Sequence, residues 1–282
     1  MKVLVTGYNG QLGFDVIRAL EKRQTECRGT TREDFDLTDA QAVRDFVEDY
    51  RPDAIIHCAA YTAVDKAEDE EMLCQQVNVE ATRNLAEICR DIGAKMVYIS
   101  TDYVFPGDGN DFYEPDAPKA PQNVYGKTKL AGELAVQEIL PEHFIVRISW
   151  VFGSHGNNFV KTMLRLGAEQ SKLLIVNDQI GSPSYTVDLA ELLCDMVATE
   201  KYGVYHASNE GVCSWAEFAA EIFRQAQLEV RVLPITASER PSRAARPYNS
   251  RMSKKCLDAA GFSRLPHWPD AVRRYLKELG TI

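Results

Sequence analysis

Lys2-Val3-Leu4-Val5-Thr6-Gly7-Tyr8-Asn9-Gly10-Gln11-Leu12-Gly13 is the stretch whose reading decides the fold. Its first five residues form a short β-branched and apolar run, the pattern of a parallel strand covered on both faces. Glycines follow at positions 7, 10 and 13. Leu12, Val16, Ile17 and Leu20 then recur at the spacing of one helix face. Strand, glycine turn and helix in that order open a βα unit able to hold a dinucleotide. Gly7 permits the sharp turn, Gly10 lets the backbone approach a pyrophosphate, and Gly13 lets helix pack on strand. The helix N-terminus adds N–H donors and the positive end of a dipole. The spacing is GxxGxxG rather than GxGxxG. Alone it also fits a purely structural turn, and its place directly after a strand favours the ligand-binding reading.

Working outward, the same alternation repeats. Glu26 to Thr30 reads as a second strand, followed by Thr31-Arg32 where NAD-selecting sites carry an acidic residue for the ribose 2′-OH. A cation there suits a 2′-phosphate. Asp36-Leu37 leads to a helix expected to be capped by Thr38 and to run to about Tyr50. Asp53 to Cys58 reads as a third strand ending in Ala59-Ala60-Tyr61, small residues that leave room for a flat ligand. Met72 to Ile92 reads as one long helix, and Lys95 to Ser100 as a fourth strand. That strand runs into Thr101-Asp102 at a carboxyl end, where open α/β sheets place ligands. The Thr101 hydroxyl can donate to a substrate oxygen, although the Thr-Asp pair also fits a turn cap.

After a Pro- and Gly-rich loop, Tyr125-Gly126-Lys127-Thr128-Lys129 opens a helix whose apolar positions are Leu130, Leu134 and Ile139. Residues four apart share a helix face, so Tyr125 and Lys129 lie one above the other. A phenol near its ordinary pKa of about 10 is a poor proton donor at neutral pH. A neighbouring ammonium lowers that value, which makes Tyr125 a general-acid candidate. The bland alternative is two surface residues one turn apart. Phe144 to Ser149 is a fifth strand ending at Trp150. Beyond it the alternation loosens into shorter helices and strands, with Ser214 and Glu217 spaced for a capping box. Glu239 to Lys255 holds six cations, Arg240, Arg243, Arg246, Arg251, Lys254 and Lys255. They suggest an anion pocket of arginine forks. A solvated basic loop is the other reading.

Composition bounds the answer. The 282 residues are 45% hydrophobic and 26% charged, with net charge −9. That is an ordinary globular composition, and its acidity argues against a nucleic-acid or acidic-membrane binder. Seven scattered cysteines without a CxxC pair fit a reducing cytoplasm. No signal-peptide pattern is visible, and no apolar run approaches the ~20 residues that span a bilayer.

The glycine turn and the Tyr125/Lys129 pair together resemble the extended short-chain dehydrogenase/reductase superfamily. CAAYTAVDKAE (58 to 68), STDYVFPG (100 to 107), VYGKTKLAGE (124 to 133), SWVFG (149 to 153), GNNFVKTM (156 to 163), NDQIGSP (177 to 183) and RPYNS (246 to 250) narrow this to the dTDP-4-dehydrorhamnose reductase family. The resemblance implies a doubly wound parallel Rossmann sheet with a smaller C-terminal α/β substrate-binding part. Residues 1–150 would bind the dinucleotide. Residues 151–282 would mainly bind substrate, with some elements returning to the large sheet. The activity implied is NAD(P)H-dependent reduction of the C4 keto group of dTDP-4-dehydro-β-L-rhamnose.

Residue by residue, Tyr125 would protonate the C4 oxygen, Lys129 would hold the nicotinamide ribose and lower the Tyr125 pKa, and Thr101 would bond the same oxygen. Asp102 and Trp150 would meet the nucleotide sugar, with Arg246 in the anion stretch. Gly7, Asn9, Gly10, Gln11, Leu12 and Gly13 would cradle the pyrophosphate. Asp36 and Leu37 would border the adenine, and Ala59, Ala60 and Tyr61 would line the cofactor cleft. Thr31 and Arg32 favour NADPH, with NADH as the alternative donor. Asp15 matches an acidic position of magnesium-dependent relatives, but one carboxylate is no metal site. The partners implied are a nucleotide sugar and, as a monomer or homodimer, at most a second copy of the chain. A different nucleotide-sugar reductase or epimerase, or a non-catalytic methionine adenosyltransferase regulatory subunit, are the competing readings. Asp102-Tyr103 lacks the Asp-Glu pair of a dehydratase, and the intact Thr101-Asp102 pair disfavours the regulatory subunit.

Overall fold

A computed structural model describes residues 1–282. Six strands form the large sheet: β1 (Lys2–Thr6), β2 (Glu26–Thr30), β3 (Ala54–His57), β4 (Lys95–Thr101), β5 (His143–Ile148) and β6 (Gly203–His206). Their spatial order is β2-β1-β3-β4-β5-β6, with every neighbouring pair parallel. Alternate residues of a strand face opposite sides. Val3 and Val5 therefore enter one core, with helices Gln11–Lys22 and Thr186–Val197, while Leu4 enters the other, with Ala40–Tyr50 and Ala81–Ile92. This is why the Lys2–Thr6 run does not alternate with polar residues: both of its faces are covered. Chain order reverses between β1 and β3, and the crevice beyond the strand ends at such a switch point is where open sheets bind ligands.

Three expected elements differ. Asp39, not Thr38, caps the second helix, its carboxylate accepting from Gln41 N at 3.1 Å and Ala42 N at 3.0 Å. Thr38 instead donates to Asp36 at 2.8 Å. The expected helix over 72–92 runs without interruption, from Glu71–Gln75 through a π-helical turn, Gln76–Glu80, into Ala81–Ile92. A Cβ on Gly132 would lie 2.5 Å from the Asn78 carbonyl oxygen, so that turn seats against a glycine. Helix Val124–Ile139 buries Gly126, Lys129, Gly132, Glu133 and Val136, while Leu134 is 57% exposed. Its buried face is small and charged rather than leucine-rich, because it packs closely on β4 and the π turn.

Beyond Trp150 a third core gathers Phe152, Val160, Phe218, Trp268 and Tyr275. Short pairs build around it: Lys172–Val176 with Arg231–Ile235, and Ile180–Gly181 antiparallel to Cys213–Ser214. Ser214 caps helix Trp215–Gln225, with Glu217 completing the capping box. No helix is long and apolar enough to cross a membrane.

Candidate active site

The carboxyl ends of β1 to β5 open onto one cavity of about 610 Å³. Gly7 sits at φ +70°, and a Cβ there would lie 2.8 Å from the Ala59 backbone. A Cβ on Gly13 would come within 2.4 Å of the Gly7 carbonyl oxygen, so the helix can approach the turn only as glycine. Gly10 caps the helix without a side-chain bond to its first N–H groups, leaving them for a ligand.

The cavity wall brings together Gly7, Asn9, Gly10, Gln11, Leu12 and Gly13 from the turn, and Thr31, Arg32, Asp36 and Leu37 from beyond β2. Ala59 and Ala60, Thr101 and Asp102, Tyr125, Lys129 and Trp150 complete it. Two expected residues are not on the wall. Tyr61 is turned away: its backbone N–H donates to Asn78 at 2.8 Å and its phenol to Glu70 at 2.5 Å. Arg246 is an exposed residue that donates to Asp65 at 2.7 Å and reaches the wall only through the Tyr103 hydroxyl, at 3.4 Å. The basic stretch does not form one anion pocket. Arg243, Arg246, Lys254 and Lys255 pair with Asp69, Asp65, Glu210 and Glu114, because the surrounding acidic surface neutralises them one by one.

Burial sets the electrostatics of Tyr125, Lys129 and Asp102. It raises the Tyr125 phenol above its ordinary value. It lowers the Lys129 ammonium to about 7, with Glu133 the leading opposing influence. The expectation that Lys129 lowers the Tyr125 pKa is therefore not met. Desolvation dominates and leaves the phenol protonated at neutral pH. Asp102 is raised to about 6 by burial, against hydrogen bonds from Ser250 and Thr101. Thr101 donates its single proton to Asp102 at 3.0 Å, and Ser250 donates to the other oxygen at 2.5 Å. Below the site lies a buried ion pair. Arg147 donates to Glu133 at 2.7 and 2.9 Å, and Ser100 donates to the same carboxylate.

Asn78, Ser250 and Glu133 escaped sequence reading. Ser250 stands in the quoted RPYNS segment, and Glu133 closes VYGKTKLAGE. Asn78 carries no local signal, since its partners Tyr61 and Thr128 lie 17 and 50 residues away.

The residues fit a dinucleotide. The buried Lys129 ammonium lies 4.0 Å from the Tyr98 ring centroid, and no protein atom accepts a hydrogen bond from it. A ribose hydroxyl on the cavity side would supply the missing acceptor. Magnesium is not fitted. Asp15 accepts from Thr186 at 2.5 Å and Arg18 at 3.2 Å, and no three His, Cys, Asp or Glu side chains converge as ligands.

A switch-point cavity with a glycine turn and a Tyr-Lys pair defines a Rossmann-fold reductase of the short-chain dehydrogenase/reductase class. The fold is shared with a UDP-glucose 4-epimerase of Thermus thermophilus in complex with NAD, at TM-score 0.84 over 99% of each chain and 22% identity. The family model described as the RmlD substrate binding domain matches residues 1–281, and the chain belongs to that family. A dTDP-4-dehydrorhamnose reductase of Streptomyces griseus is 43% identical over 276 residues, 95% of this chain and 91% of the relative. The crystal structure of a dTDP-4-dehydrorhamnose reductase from Bacillus anthracis in complex with NADP superposes at TM-score 0.96 and 44% identity. It covers 99% of this chain and 100% of that one.

Proposed function

We propose that the protein reduces the C4 keto group of dTDP-4-dehydro-β-L-rhamnose to give dTDP-L-rhamnose, with NADPH as donor and NADH as the alternative. The observation that carries this reading is the convergence of Thr101, Asp102, Tyr125 and Lys129 with the glycine turn on one cavity, in a chain of that family. The dinucleotide would lie along Gly7 to Gly13, with Asp36 and Leu37 beside the adenine and Thr31 and Arg32 at the ribose 2′ position. When bound, a reduced nicotinamide supplies hydride.

The chain supplies position and a proton. Tyr125, kept protonated by burial, donates its phenolic proton to the substrate's C4 oxygen. Lys129 donates to a ribose hydroxyl, the acceptor it lacks within the protein. Thr101 bonds the same C4 oxygen by turning its single proton away from Asp102. Asp102, freed from that bond, accepts from the sugar. Trp150 walls the nucleotide-sugar side, and Arg246 acts on it through Tyr103. Residues 1–150 carry the cofactor and 151–282 mainly the nucleotide sugar. The protein works in the cytoplasm as a monomer or homodimer, where its seven free cysteines stay reduced.

Oxidation of NADPH by the purified chain with dTDP-4-dehydro-β-L-rhamnose, with dTDP-L-rhamnose identified as product, tests the reading. Folded protein that binds NADPH but does not turn over would overturn it in favour of a non-catalytic role.

A further inference from the structure

Trp150 follows β5 with φ at +49°, a backbone conformation that bulky side chains rarely adopt. Such a residue persists only where its surroundings over-determine it. The surroundings here come from the C-terminal part. The Trp150 ring lies face to face with Trp215, centroids 3.6 Å apart and planes 11° apart. On the Gly181 side the space is equally exact: a Cβ there would lie 2.8 Å from Trp150 Cε2 and 3.0 Å from Ser250 Cβ. Gly181 pairs with Cys213 and Ile180 with Ser214, so one short antiparallel pair sets both the glycine and the residue preceding Trp215. The Ser214 capping box fixes the start of the helix that Trp215 begins, and Phe159 backs the Trp215 ring at 4.6 Å. Trp150 lines the cavity, whereas Trp215 does not.

We propose that Trp215 is a positioning residue for the nucleotide sugar, acting through its stack on Trp150, with Gly181 leaving the space that the stacked ring needs. The inference rests on the proposed function for the identity of the ligand. Its geometry concerns only the two indoles and the glycine. Loss of Trp215 frees the Trp150 ring to leave the wall, which weakens nucleotide-sugar binding and leaves the dinucleotide side untouched.

An aromatic pair of this kind is worth about a twofold to tenfold change in affinity. Trp215→Ala is expected to raise the KM for the nucleotide sugar by that factor, with kcat within about twofold and the KM for NADPH unchanged. Trp215→Phe, which keeps a ring, restores most of the loss. Gly181→Ala, which leaves Trp215 in place, reproduces the KM effect by displacing Trp150. A circular-dichroism exciton couplet from the stacked indoles is expected in the wild type, absent in Trp215→Phe and retained in Trp268→Phe. An unchanged nucleotide-sugar KM in both Trp215→Ala and Gly181→Ala, an equal rise in the KM for NADPH, or a couplet that survives Trp215→Phe would overturn the proposal. If the wild type does not turn over the sugar, the functional reading fails by itself. The couplet and calorimetric titration with dTDP in the same variants then decide the stack: a dTDP affinity unchanged by Trp215→Ala overturns it, and a weakened one supports it.

Discussion

Replacing Arg32 with alanine tests its proposed role in selecting between the two nicotinamide donors. Arg32 lies on the cavity wall, is exposed, and has no carboxylate within ion-pair distance, so its guanidinium can receive a phosphate. Its neighbourhood is not wholly favourable. The Thr31 N–H donates to Asp34 at 2.9 Å and the Thr31 hydroxyl to the same oxygen at 3.4 Å, so donors a 2′-phosphate would use already face a carboxylate. A charge-assisted hydrogen bond is worth ~1.5–3 kcal/mol. Exposure and the nearby acid place Arg32 at the lower end, about tenfold in affinity. The expected result is a higher kcat/KM with NADPH than with NADH in the wild type. Arg32→Ala should lose about tenfold with NADPH and keep its value with NADH. The contrast should shrink as salt is raised, since charges are screened over ~8 Å at 0.15 M ionic strength. The assay is steady-state kcat/KM for each donor at one fixed nucleotide-sugar concentration. Equal or better use of NADH by the wild type refutes the preference. A ratio unchanged by the substitution refutes its assignment to Arg32.

Tyr125→Phe should lower kcat by about 10²- to 10⁴-fold with the fold and NADPH binding intact; a variant keeping more than about a tenth of wild-type turnover removes Tyr125 from the chemistry. Arg246→Ala breaks an exposed pair with Asp65 and frees Tyr103, so the nucleotide-sugar KM should rise about threefold while that for NADPH holds; the opposite split in initial-rate measurements sinks the substrate-side placement. The pH profile has a defined sign. Lys129 is charged below its lowered pKa of about 7 and neutral above it, so kcat/KM, which reports the free protein, should fall as pH rises through that value. A profile flat from pH 6 to 9 contradicts an essential ammonium at Lys129. Glu133→Gln leaves Arg147 buried without its partner and should cost about 3–5 kcal/mol of stability in denaturant titrations, a loss below about 1 kcal/mol being incompatible with the buried pair.

What the chain states locally was legible in its sequence. Val3 to Val5 is apolar without alternation, the pattern of a strand covered on both faces. Gly10 and Gly13 carry no Cβ, and the space each would fill is set by Gly7 within seven residues. Tyr125 and Lys129 share a face because one helical turn spans four residues. These are consequences of backbone sterics and periodicity, which act over a few residues. Tertiary structure decided everything governed by desolvation and by partners distant in the chain. The neutral-pH state of Tyr125 and Lys129 follows from burial, which reversed the expectation drawn from their spacing. Asp102 takes its second donor from Ser250, 148 residues away, and the cations between Arg240 and Lys255 meet carboxylates from distant segments that no spacing rule names. The Asn78 turn packs against a glycine of another helix, and the left-handed Trp150 against a ring and a glycine from the C-terminal part. Local spacing settles where a side chain starts; its charge, partner and strain depend on which distant groups the fold packs around it.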